Sequence, residues 1–120
     1  MTTVRDVMST DLTIVRPDAS VAEAAQLMSV RHVGSALVME GDTLVGIFTE
    51  RDIVRALASD FDAAGHTVGA SMSREPRTVD AGTTVGQALD LMLEVGFRHL
   101  PITEAGAVVG VVSLRDLAPR

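Results

Sequence analysis

Cysteine is absent from the 120-residue chain. That removes disulfide frameworks, thiolate zinc sites, iron–sulfur clusters and cysteine nucleophiles together. Tryptophan and tyrosine are missing too, and three phenylalanines leave an aromatic content of 2%, too little ring surface to stack single-stranded bases. Lysine is absent as well; ten arginines stand against sixteen acids, a formal charge of −6. Such a chain lacks the basic surface a phosphate backbone demands. No apolar run approaches the roughly 18 residues of a membrane-spanning helix. The opening Met1-Thr2-Thr3-Val4-Arg5-Asp6 has neither the basic nor the apolar stretch of a signal peptide. A soluble, cytoplasmic protein touching neither nucleic acid nor membrane is expected. The lack of lysine and asparagine beside much Ala, Gly, Val and Arg hints at a GC-rich bacterial genome.

With 47% hydrophobic and 22% charged residues, the composition is that of a folded chain. An internal repeat organises it. Met8-Ser9 recurs as Met72-Ser73, Leu27-Met28 as Leu91-Met92, Val45-Gly46 as Val109-Gly110 and Arg51-Asp52 as Arg115-Asp116, always 64 residues on and without a gap. Aligning 4–54 with 68–118 gives 13 identities. The repeats are placed at 1–58 and 68–120, with 59–67 as a polar linker and the last helix of the second copy clipped at the chain end.

Each copy reads as β-α-β-β-α. Short strands at Leu12–Val15 and Arg77–Val79 precede helices opened by Ser20-Val21-Ala22-Glu23 and Thr84-Val85-Gly86-Gln87, both with capping-box spacing. Apolar residues at 21, 24, 25 and 28, matched at 85, 88, 89 and 92, form one helical stripe. Hairpins follow, Ala36–Met39 with Leu44–Phe48 around Gly41-Asp42, and Leu100–Ile102 with Ala107–Val112 around Ala105-Gly106. A second helix runs over Glu50–Ala58. A repeat of about 52 residues is marginal alone. Two copies therefore predict a mixed α/β fold, the repeats packed sheet on sheet about a pseudo-twofold axis with a ligand cleft between them.

The chemistry-bearing pattern is Gly46-Ile47-Phe48-Thr49-Glu50-Arg51-Asp52, repeated as Gly110-Val111-Val112-Ser113-Leu114-Arg115-Asp116. A strand leads to a hydroxyl residue, then to Arg and Asp in a helix's first turn. Free amides at a helix start suit phosphate, Arg adds a fork, and an acid can accept ribose hydroxyls. The same spacing also suits a plain cap, Thr49 at the N-cap with Asp52 three residues on.

Other sites find little support. Gly41-Asp42-Thr43-Leu44-Val45-Gly46 is followed by Ile47 rather than the lysine of a phosphate-binding loop. His32, His66 and His99 lack metal-ligand spacing, so no metal is expected. Ser35 has no base-and-acid partners, so no enzyme is expected. Met8, Met28, Met72 and Met92 read as core fillers, and His99 beside Arg98 reads either as a contact for an anionic ligand or as a strand residue at the surface.

Taken in order, Asp6-Val7-Met8-Ser9, Val33-Gly34-Ser35-Ala36-Leu37-Val38, Phe97-Arg98-His99-Leu100-Pro101-Ile102 and the two Gly-x-x-[Thr/Ser]-x-x-Asp ends resemble a tandem pair of cystathionine-β-synthase-type (CBS) domains, the Bateman module. The resemblance spans nearly the whole chain. It implies a non-catalytic regulatory module, needing no cofactor, that binds AMP, ADP, ATP or S-adenosylmethionine. Asp52 and Asp116 would hold ribose, with Thr49 and Ser113 near phosphate beside Arg51 and Arg115. Ile14, Val15, Thr78 and Val79, with Ala36, Val38, Pro101 and Ile102 on the hairpin strands, would sandwich the base. A homodimer through an exposed helix face of Val54, Ala56, Leu57 and Ala58 is expected, as is an unknown effector partner. The alternative is a ligand-free dimerisation or protein-interaction module.

Overall fold

The computed structural model describes residues 1–60 and 62–117. Its elements in chain order are α1 (Val4–Val7), β1 (Ile14–Val15), α2 (Val21–Arg31), β2 (Ser35–Glu40), β3 (Thr43–Thr49), α3 (Glu50–Ser59), α4 (Val68–Ser71), β4 (Ser73–Arg74), β5 (Val79–Asp80), α5 (Val85–Val95), β6 (His99–Glu104), β7 (Ala107–Ser113) and α6 (Leu114–Leu117). The fold is mixed α/β, with two sheets and six helices among the described residues. Both β-α-β-β-α runs are present, and short elements precede each: α1 before the first, α4 and β4 before the second.

The chain divides into two compact units, Thr13–Pro76 and Met1–Leu12 with Arg77–Arg120. Each unit joins the strands and helices of one repeat to the leading segment of the other. In the first unit the sheet order is β1-β2-β3-β4, with β1 parallel to β2 and the other pairs antiparallel. Val15, Val21, Ala24, Met28, Ala36, Val38, Phe48, Ala56 and Val68 form its core. In the second unit the order is β5-β6-β7, again parallel then antiparallel. Its core is Val4, Ala81, Ala88, Met92, Leu100, Ile102, Val112 and Leu117. Val4 and Val68, equivalent in the repeats, thus each fill the core of the other copy. A fully buried valine contributes about 1.5–3 kcal/mol.

The leading segments are held by backbone. Val4 N donates to Thr83 O at 2.8 Å and Val68 N to Ala19 O at 2.8 Å. Ser9 pairs with Val111 through two hydrogen bonds of 2.9 and 3.0 Å, and β4 pairs in the same way with β3. Close approach at these pairs requires glycine. A Cβ on Gly46 would overlap Met72 Sδ and stand 2.8 Å from Ser73 O, and one on Gly110 would overlap Met8 Sδ and stand 3.0 Å from Ser9 O.

Both long-helix starts carry the expected reciprocal caps. Glu23 N donates to Ser20 Oγ at 3.0 Å, and Gln87 N to Thr84 Oγ1 at 3.1 Å. The Ser20 and Thr84 amides donate back to the Glu23 and Gln87 side chains. The second hairpin turns through Ala105 and Gly106, both at positive φ (52° and 83°), the type I′ pattern that matches strand twist. The expected apolar face of α3 needs correction at Ala56. Val54 is 65% exposed, but Ala56 lies in the core and Leu57 is half-buried. Ala56 is four residues after the buried Asp52 and so shares its inward stripe.

Candidate functional site

The register of each hairpin brings the start of one strand beside the end of the next, where a helix begins. In the first unit Ser35 pairs with Thr49, and Glu50 N donates to Gly34 O at 3.1 Å. In the second His99 pairs with Ser113, and Leu114 N donates to Arg98 O at 2.7 Å. At each junction the chain folds back on a carboxylate. Thr49 N and Oγ1 donate to Asp52 Oδ2 at 2.8 and 3.1 Å. Ser113 N and Oγ donate to Asp116 Oδ2 at 2.8 and 3.0 Å.

Both carboxylates are therefore caps, as the spacing allowed. All four bonds land on Oδ2, however, and a carboxylate offers two oxygens with about four lone-pair sites. Capping fixes the group's orientation without using Oδ1. The two differ in burial: Asp52 is 5% exposed, Asp116 lies open to solvent. The described part of α6 is four residues, Leu114–Leu117; the expected clipping of that helix falls on 118–120, outside the described residues.

The sixteen candidate residues fall into two groups, one per unit. In the first, β1 lies beside β2 with Ile14 opposite Leu37 and Val15 opposite Val38. Val15, Ala36 and Val38 have their side chains in the core, so only their backbone is free to flank a ligand. Ile14 is 48% exposed, half-buried Thr49 and buried Asp52 cap α3, and Arg51 is exposed. In the second group Val79 lies opposite Ile102. Pro101 and Ile102 are buried, Thr78, Arg98, Arg115 and Asp116 exposed, and Val79, His99 and Ser113 half-buried.

Two features escape sequence reasoning. Thr13 is buried and its Oγ1 has no hydrogen-bond partner, although its carbonyl accepts from Leu37 N at 2.8 Å. The second is an open cavity of about 370 Å³ lined by Val15, Arg16, Asp18, Ala19, Glu23 and Leu27. Its size falls within the range of small-molecule sites, but of the candidate residues only Val15 borders it. Alternation along Leu12–Val15 was the signal that could have placed Thr13 inward with Val15. Among the described residues no group of three or more His, Asp or Glu side chains is arranged to hold a metal. No described helix is long and apolar enough to cross a membrane.

The chain belongs to the CBS-domain family, whose model matches it twice, at residues 4–59 and 67–119. A 17.7 kDa protein of Acidianus ambivalens is 42% identical over 120 residues, covering 98% of this chain and 71% of that protein. The structure of CBSX2 in complex with AMP superposes with a TM-score of 0.80 at 30% identity, over 98% of this chain and 93% of that one. The CBS domain pair of MJ0100, in complex with 5′-methylthioadenosine and S-adenosyl-L-methionine, gives a TM-score of 0.89 at 26% identity over 98% and 93%.

Proposed function

We propose that the chain is a non-catalytic regulatory module that binds an adenosine-containing ligand, AMP, ADP, ATP or S-adenosylmethionine, at the helix-start ends of its sheets. The observation that carries this is the duplicated turn in which a hydroxyl residue pins one oxygen of Asp52 or Asp116. The other oxygen of each is left to accept ribose hydroxyls. Thr49 and Ser113 sit toward phosphate with Arg51 and Arg115, and the backbones of Ile14–Val15 and Thr78–Val79 flank the base with the strands beside them. The complexes of CBSX2 with AMP and of MJ0100 with S-adenosylmethionine support the ligand class. The module works in the cytoplasm, needs no cofactor, and passes its ligand state to an effector protein.

A thermal-shift panel of AMP, ADP, ATP, NAD and S-adenosylmethionine tests the reading. A ligand that binds only the folded chain stabilises it by about 2.7 kcal/mol at a hundredfold excess over Kd. At least one adenosine compound raises Tm; a panel in which none does overturns the reading. The second reading, a ligand-free interaction module, is favoured by the exposed Val30, Val54 and Leu93, and homodimerisation through the Val54 face of α3 fits either reading.

A further inference from the structure

The 64-residue offset lets the two helix-start ends be compared position by position, and they differ in charge. In the second unit the register runs Val79 to Ile102 and His99 to Ser113. Arg77, two residues before Val79, and Arg98, next to His99, therefore lie at the sheet end where Arg115 and Asp116 begin α6. The equivalent positions of the first unit are Thr13, Gly34, Ser35, Arg51 and Asp52. Thr13 is fixed at the same end by Leu37 N and Gly34 by Glu50 N. Glu50 itself replaces Leu114. Three arginines thus stand against one carboxylate at one end, and one arginine against two carboxylates at the other. Arg77, Arg98 and Arg115 are all exposed. The next residue differs in polarity rather than charge, Thr78 just before β5 against the apolar Ile14 on β1.

Arginine forks bind phosphate through paired, charge-assisted hydrogen bonds, and a second carboxylate beside a helix start repels it. We infer that the two units select ligands of different charge. The unit holding Arg77, Arg98 and Arg115 takes a phosphorylated adenosine. The unit holding Thr13, Gly34 and Glu50 favours an adenosine derivative without phosphate, neutral or cationic at its 5′ position, and takes AMP only at higher concentration. This selection rests on the adenosine reading above and adds to it which unit takes which class.

The test is an amide NMR titration of the intact protein with AMP, adenosine and inorganic pyrophosphate. Signals of Gly34, Ser35 and Thr49 report one end; Arg98, His99 and Ser113 report the other. AMP and pyrophosphate are expected to shift the second set at concentrations about tenfold or more below those needed for the first set. Adenosine should show no such preference for the second set. The Arg77→Ala/Arg98→Ala double variant, checked for an intact spectrum, should bring AMP binding at that end down to the level of adenosine. Equal AMP and adenosine affinities at residues 98–113 would overturn the charge selection and leave the adenosine reading standing. A response to pyrophosphate there, with none to AMP or adenosine at either end, would overturn the adenosine reading while supporting the charge selection. No response to any of the three overturns both.

Discussion

His32 and Gly96 hold the same place at the ends of α2 and α5, both left-handed, at φ 56° and 78°. That conformation costs a side-chain-bearing residue about 1–2 kcal/mol, while glycine loses about 0.5–1 kcal/mol more chain entropy on folding. His32→Gly is therefore expected to stabilise the fold by about 0.5–1 kcal/mol, read as a higher urea midpoint; a lower midpoint would refute it. Thr13 points the same way. Its buried hydroxyl is unpaired, and removing it in Thr13→Val should add about 1 kcal/mol, visible as a raised Tm, whereas a drop would mean the hydroxyl has a partner in solution. These two residues also mark how far the sequence is legible at this scale. Ser20 with Glu23, and Thr49 with Asp52, are readable because both partners lie within one turn. Whether the hydroxyl of Thr13 is satisfied depends on what the tertiary fold brings to it, and no local spacing records that.

Among the elements, the long helices and the hairpins are legible because period and turn chemistry agree in both copies. The short elements are not. Val4–Val7, Val68–Ser71 and Ser73–Arg74 are too brief to show a period, and they are held by backbone bonds to distant segments, loops for the two helices and β3 for Ser73–Arg74. Glycine is what admits that pairing. Gly46→Ala drives a methyl into Met72 Sδ and toward Ser73 O; the thioether can swing aside but the carbonyl is held by pairing. A loss of about 1–3 kcal/mol is expected, measured by denaturant unfolding. Stability unchanged within error would show that β4 is free to move off β3.

At the scale of the whole molecule, a repeat shows which residues are equivalent but not which copy a segment packs upon. Val4 and Val68 suit either core equally, so the exchange of leading segments was invisible in the sequence. The candidate site was half legible. The Thr/Ser-x-x-Asp turns lie where the motif placed them. The inward turn of Ala36, Val38 and Ile102 toward the cores, and the unlike charge of the two sheet ends, needed strand parity and register. Central to the proposed function is the service of the capped carboxylates to ribose. Calorimetric titration of AMP and ATP into the wild type, Asp52→Ala and Asp116→Ala tests it most directly. Asp52→Ala should weaken binding at its end by about 2 kcal/mol, the loss of a charged acceptor, while the fold loses about 1 kcal/mol with the cap. Asp116→Ala should act likewise at the other end. Equal affinities across all three proteins, with only stability reduced, would show that the two aspartates are caps and nothing more.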